Sequence, residues 1–161
     1  IEICNDLTLQ KHGVDRIIHF HNGKGLMVDE KIREKSYPDI LLEEYSNKER
    51  QTPGWTWDPC KITDYVTYAI KPIQKAYLLP YELLRMVWSK YHNSWEIYRV
   101  PDAPNRNYRT SNLAIPVKVL LIAIAKEMVQ PIDVTENLRF ISDRKARKET
   151  SVQLEFNMDW R

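Results

Sequence analysis

Residues 14–33 read VDRIIHFHNGKGLMVDEKIR. Two runs of β-branched, aromatic and long aliphatic residues, 14–21 and 25–33, flank Asn22-Gly23. That dipeptide suits a tight reversal because both residues tolerate positive φ. The stretch is therefore a predicted β-hairpin, and its register decides which side chains meet. Asp15 falls opposite residue 29 or 30, depending on the length of the turn. Directly opposed Cβ atoms in a ladder lie about 5 Å apart. Alternation along the strand puts Asp29 and Lys31 on one face and Glu30 on the other.

Outward from the hairpin, DILLEEYS at 39–46 predicts a third strand and NKERQTPG a polar loop. Asp58-Pro59 has the form of a helix start, and Ile62, Tyr65, Val66 and Ala69 follow at helical spacing, so a helix is expected over 59–70. KAYLLP reads as a short strand. Pro80 opens a helix through YELLRMVWSKYH with Leu83, Leu84, Val87, Trp88 and Tyr91 on one face. Residues 101–112 read as a polar loop in which Ser111 or Asn112 caps the next helix. That helix, VKVLLIAIAKEMV after Pro116, is apolar nearly all round and so expected to be buried. The basic run RKARK at 144–148 reads as a solvated helix face. Strands first and then mixed helix and strand imply an α/β layered architecture: a mixed central β-sheet flanked by helices. The 161 residues suit a single domain, with a core over roughly 2–130 and an extension over 131–161.

The composition, 43% hydrophobic and 29% charged, is that of an ordinary globular chain. A net charge of +2 neither demands nor excludes a nucleic-acid partner, since local field matters more than the total. Cys4 and Cys60 form no CxxC pair, which argues against a cysteine-based zinc site and fits a reducing compartment. No apolar run reaches membrane-spanning length and no signal-peptide pattern is visible, so an intracellular, cytoplasmic protein without a membrane partner is expected.

The hairpin carries the chemistry. Two carboxylates held as close as Asp15 and Asp29 repel, and a divalent cation removes that repulsion. Mg²⁺ prefers oxygen ligands and takes one or two carboxylates plus waters; Mn²⁺ is expected to substitute, and the Glu30 main-chain carbonyl offers a further ligand. The Lys31 ammonium beside such an ion holds or deprotonates a water, or offsets charge on a phosphate. These parts suit metal-assisted phosphodiester hydrolysis. Glu43 or Glu44 on the third strand supplies another carboxylate. Strand parity groups Glu43 with Leu41 and Tyr45, and Glu44 with Leu42, and Glu43 is the preferred candidate.

A strand acid (Asp15 in GVDRII), then D-x-K on the next strand (Asp29-Glu30-Lys31 in LMVDEKI), then an acid on a third strand resembles the PD-(D/E)xK nuclease superfamily. The resemblance covers roughly residues 2–80, its later segments following in the same order with a helix around DYVTYAI and a strand KAYLLP. It implies a restriction-endonuclease-like fold and a Mg²⁺-dependent deoxyribonuclease with DNA as partner. Family members carry a helix before the first acid, often with a Glu that touches the site. Few residues precede Asp15 here, so Glu2 or Gln10 takes that part, or the helix is shortened.

Lys24, Arg33 and Lys35 flank the expected site, and Lys48, Arg50 and Trp55 follow the acidic strand. These are the candidates for phosphate contact and base stacking, with Trp57 as an alternative stacker. Arg106 and Arg109 are more distant candidates. His19 and His21 share a strand face but lack a third ligand, which favours a solvent-facing pair. The rival reading is a non-catalytic nucleic-acid-binding or adaptor protein that keeps the nuclease-like fold. A homodimer or larger complex fits either, because enzymes that cut both strands often pair up.

Overall fold

A computed structural model of the protein describes residues 1–129. The RKARK run and the expected 131–161 extension lie outside the described residues. The first element is a two-residue strand β1 (Glu2–Ile3), followed by a five-residue helix α1 (Leu7–Lys11). Asp6 caps α1, its Oδ1 accepting from the amides of Thr8 at 2.7 Å and Leu9 at 3.2 Å. A short helix thus precedes Asp15.

The hairpin follows as β2 (Arg16–His19) and β3 (Gly25–Arg33), paired antiparallel from Arg16↔Val28 to His19↔Gly25. The reversal spans residues 20–24 and is wider than a two-residue turn. Phe20 N donates to Lys24 O at 2.8 Å, and Gly23 alone of the Asn-Gly pair takes positive φ, +77°. Asn22 instead uses its side chain to accept the Lys24 amide at 3.1 Å.

The third strand is β4 (Asp39–Asn47), followed by β5 (Thr52–Pro53), β6 (Tyr65–Ile70) and β7 (Lys75–Pro80). The helix expected over 59–70 does not form. Its second half is β6, because Val66, Tyr68 and Ile70 are buried at a period of two. A β-branched and aromatic sequence lies parallel to β3 from Val28↔Tyr65 to Arg33↔Ile70. The helical spacing of Ile62 with Val66 is coincidental, and Ile62 is exposed.

Helix α2 (Tyr81–Tyr91) begins directly after Pro80 and buries Tyr81, Leu84, Val87 and Trp88. Then come β8 (Ala103–Pro104), β9 (Arg109–Pro116) and α3 (Val117–Val129). Ser111 and Asn112 cap no helix: both are buried inside β9. The polar stretch is a strand because its polar side chains find partners across the sheet. Ser111 Oγ lies 2.9 Å from Glu44 Oε2 and 2.6 Å from Arg99 Nη1.

The strands form two sheets, not one central sheet. One is five-stranded and mixed, ordered β1-β2-β3-β6-β7; the other is ordered β5-β4-β9-β8 with antiparallel pairings. With α2 and α3 they make a mixed α/β fold. Val66, Tyr68, Ile70 and Leu79 of the first sheet join Ile40, Leu42, Leu113 and Ile115 of the second and the apolar faces of both helices in one core. Tyr68 ties the sheets together through its hydroxyl, which accepts the Leu41 amide at 3.0 Å. No helix among the described residues is long and apolar enough to cross a membrane.

Candidate active site

The hairpin register, continued one step beyond Arg16↔Val28, sets Asp15 across from Asp29. Asp15 N donates to Val28 O at 2.9 Å, and Asp15 Oδ2 accepts the Glu30 amide at 2.7 Å. The Asp29 side chain is among the groups that act on the Asp15 carboxyl. Asp29 pairs with Val66 across the parallel ladder, so it faces the core side of the sheet, and its side chain is only 2% exposed.

Two ammonium groups grip that carboxylate. Lys31 Nζ lies 2.5 Å from Asp29 Oδ1, and Lys61 Nζ lies 2.6 Å from Asp29 Oδ2. The two lysines differ in access. Lys31 is 30% exposed and reaches the surface, whereas Lys61 is 6% exposed. Glu43 joins from the second sheet. A bulge at Glu44 shifts the β4–β9 register between Glu43↔Asn112 and Tyr45↔Ser111. Against that bulge lies PGWTW, where Gly54 N donates to Glu44 O at 2.8 Å and Trp55 N to Glu43 Oε1 at 3.2 Å. Gly54 is required there, since a Cβ would sit 2.2 Å from the Glu43 carbonyl oxygen.

The electrostatics follow from this packing. Burial works to raise the Asp15 carboxyl, but the Glu30 amide, the contact with Asp29 and the two lysines outweigh it and hold Asp15 below the usual aspartate range. For Asp29 burial dominates and pushes the carboxyl up, against the pull of Lys31 and Lys61. Burial likewise raises Glu43, opposed by the Trp55 amide and both lysines and reinforced by Asp29. Facing acids whose affinities for a proton are driven apart in this way are the usual basis for dividing acid and base roles.

Lys61 is the site residue that the sequence does not disclose. It belongs to a segment read as a helix, and nothing near it in sequence marks it as a partner of Asp29. Its position comes from a loop stitched to the start of the hairpin. His12 Nδ1 lies 2.8 Å from Cys60 O, Ile62 N donates to His12 O at 3.1 Å, and Thr63 Oγ1 donates to Met27 O at 2.9 Å. Gly13, at φ +81°, leaves the room: a Cβ there would lie 2.2 Å from Lys61 Nζ.

The other candidates separate clearly. The Glu30 side chain turns to the opposite face and pairs with Arg16 at 2.5 Å, leaving only its carbonyl near the acids, 3.5 Å from Lys31 Nζ. Glu44 is engaged by Arg99 at 2.7 Å, so Glu43, not Glu44, joins the cluster. Trp55 lies beside Lys31, whose Nζ is 5.9 Å from the ring centroid, and also packs on Tyr68. Trp57 is held by its Nε1, which donates to Glu44 O at 2.5 Å. Arg33 is a correction to the expected phosphate contacts: it pairs with Asp39 at 2.7 Å, stacks on Tyr37 and is only 14% exposed. Lys48 is engaged by Asp102 at 2.6 Å, while Lys24, Lys35 and Arg50 are exposed. Arg106 is exposed, and Arg109 pairs with Glu49 at 2.8 Å. Gln10 donates to Cys4 O at 2.6 Å and Glu2 meets His19 at 2.9 Å, so their observed partners are not the acids. His21 is exposed at the turn, and Cys4 and Cys60 are both free thiols.

No cluster of three or more His, Cys, Asp or Glu side chains among the described residues is arranged to hold a metal ion. The oxygen donors that converge are two carboxylates, Asp15 and Asp29, with the Glu30 carbonyl. The Lys31 ammonium, bridging Asp29 Oδ1 and Glu30 O, stands in as a cation between two of them. This hard-oxygen set fits an ion such as Mg²⁺ that completes its shell with waters. No protein family, curated protein or solved structure matches this chain.

Proposed function

We propose that the protein is a Mg²⁺-dependent deoxyribonuclease with a restriction-endonuclease-like core. The reading is carried by one observation: Asp15, just before β2, lies across from Asp29 on β3, and Lys31 pairs with the Asp29 carboxylate. The order of β2, β3 and a later strand parallel to β3 is compatible with that core.

Asp15, Asp29 and the Glu30 carbonyl are the groups that would hold the ion. A bound Mg²⁺ supplies polarisation of the scissile phosphate and a more acidic water. The remaining work belongs to this chain's side chains. Lys31, the more exposed lysine, donates from Nζ to a water or to a non-bridging phosphate oxygen and offsets the charge that develops there. Glu43, made less acidic by burial, would serve as the proton acceptor for that water. Trp55 flanks Lys31 and offers an aromatic surface beside the acids. Lys24, Lys35 and Arg50 present exposed charge for phosphate contacts along the strand.

A second reading, a DNA-binding or adaptor protein without hydrolysis, is favoured by the ion pairs on Asp29, which satisfy both its oxygens with no metal. Incubation with supercoiled, linear and single-stranded DNA across a Mg²⁺ titration separates the two. The nuclease gives product that vanishes in Lys31→Ala and Asp29→Ala. DNA binding without product under Mg²⁺ or Mn²⁺, unchanged in those variants, refutes hydrolysis.

A further inference from the structure

Lys61 has no part in the D-x-K pattern, yet it is the more deeply buried of the two ammonium groups on Asp29. Several independent features put it there. The loop carrying it is fastened to the hairpin entrance on both sides, through Cys60 and Ile62 to His12. Its ammonium rests 5.9 Å from the centroid of the Tyr81 ring, a face that favours a cation. Gly13 leaves out the one atom that would block it. A flexible surface lysine that happened to touch an acid would need none of this.

We propose that Lys61 is a resident cation of the acidic pocket: it permanently occupies Asp29 Oδ2 and so limits the pocket to a single divalent ion. This rests on the metal-dependent reading above. Asp29 Oδ1 meets the more exposed Lys31, and that oxygen would be the one available to an ion. A second ion needs another carboxylate oxygen close by, and the Oδ2 position is already held at 2.6 Å by a charge of the same sign. Glu43, from the other sheet, feels both lysines as well as Asp29. Lys61 is therefore a positioning residue that acts through Asp29.

The test is the number of Mn²⁺ ions bound per chain, counted by electron paramagnetic resonance during titration of the full chain without DNA. Wild type should bind one ion, and Lys61→Met should bind two. Lys61→Gln, which keeps a donor for Asp29 but not the charge, serves as the second variant and should also admit the second ion. Near-ultraviolet circular dichroism establishes that each variant is folded. Two ions in the wild type overturn the proposal whether or not any variant folds. One ion in wild type and one in each folded variant overturns it while leaving the metal-dependent reading intact. No ion in wild type with binding gained in Lys61→Met overturns both the metal-dependent reading and the single-ion proposal. No ion in any of the three chains overturns both.

Discussion

Gly13→Ala tests the packing that holds Lys61 against Asp29. Two costs arise at once. Gly13 sits at φ +81°, and an L-residue in that left-handed region costs about 1–2 kcal/mol. The new Cβ would also fall 2.2 Å from Lys61 Nζ and 2.9 Å from its Cγ, so the lysine side chain must shift from its place on Asp29. Breaking a buried pair outright costs about 3–5 kcal/mol, but Lys31 still partners Asp29, so about 2 kcal/mol is reasonable here. The sum, about 3–4 kcal/mol, should lower the melting temperature by roughly 10 °C for a domain of this size. Urea unfolding followed by tryptophan fluorescence gives the free energy, and a second background isolates the cause. In Lys61→Ala the overlap is gone, so Gly13→Ala should cost only the backbone part, about 1–2 kcal/mol. Equal costs in the two backgrounds would refute the claim that Gly13 exists to admit Lys61.

Glu43→Gln tests the burial of the third acid. A carboxyl raised in the folded state binds its proton more tightly there than when unfolded, so stability falls as pH rises through the folded pKa. The variant should be more stable than wild type at pH 7 and lose that advantage near pH 4, as read by melting temperature across pH. Asp15 has the opposite sign: its stabilisation is present above the unfolded pKa and disappears as pH falls through the lowered one. On the surface, Arg109 donates to Glu49 and holds its carboxyl at about 2. Arg109→Ala should return that carboxyl to the ordinary glutamate range in a carbon-13 NMR titration. Tyr68→Phe deletes the hydroxyl that accepts the Leu41 amide between the sheets and should cost about 1 kcal/mol in urea unfolding.

The hairpin, β4, β7, α2 and α3 were legible because each announces itself locally, through a turn dipeptide, an alternating run or a proline at a helix start. Residues 65–70 were not, because YVTYAI fits a helical spacing and a strand alternation equally well until β3 is known to lie alongside. Ser111 and Asn112 read as loop residues for a similar reason: the partners that make their burial tolerable, Glu44 and Arg99 among them, are remote in sequence. The acidic pair was legible because a hairpin converts sequence spacing into contact. Lys61 was hidden, since only the loop around it, fastened by Cys60 to His12 and by Thr63 to Met27, carries it to Asp29.

The acids also differ in what sets their separation. Asp15 and Asp29 are spaced by neighbouring strands of one sheet, a distance fixed by main-chain pairing and insensitive to how the halves of the fold breathe. Glu43 hangs from the other sheet, and its distance to Asp29 is a matter of side-chain docking between layers. A perturbation that loosens that docking, such as pressure or a trimmed core residue, would leave the inner pair intact while carrying the third carboxylate away, a graded loss instead of a collapse.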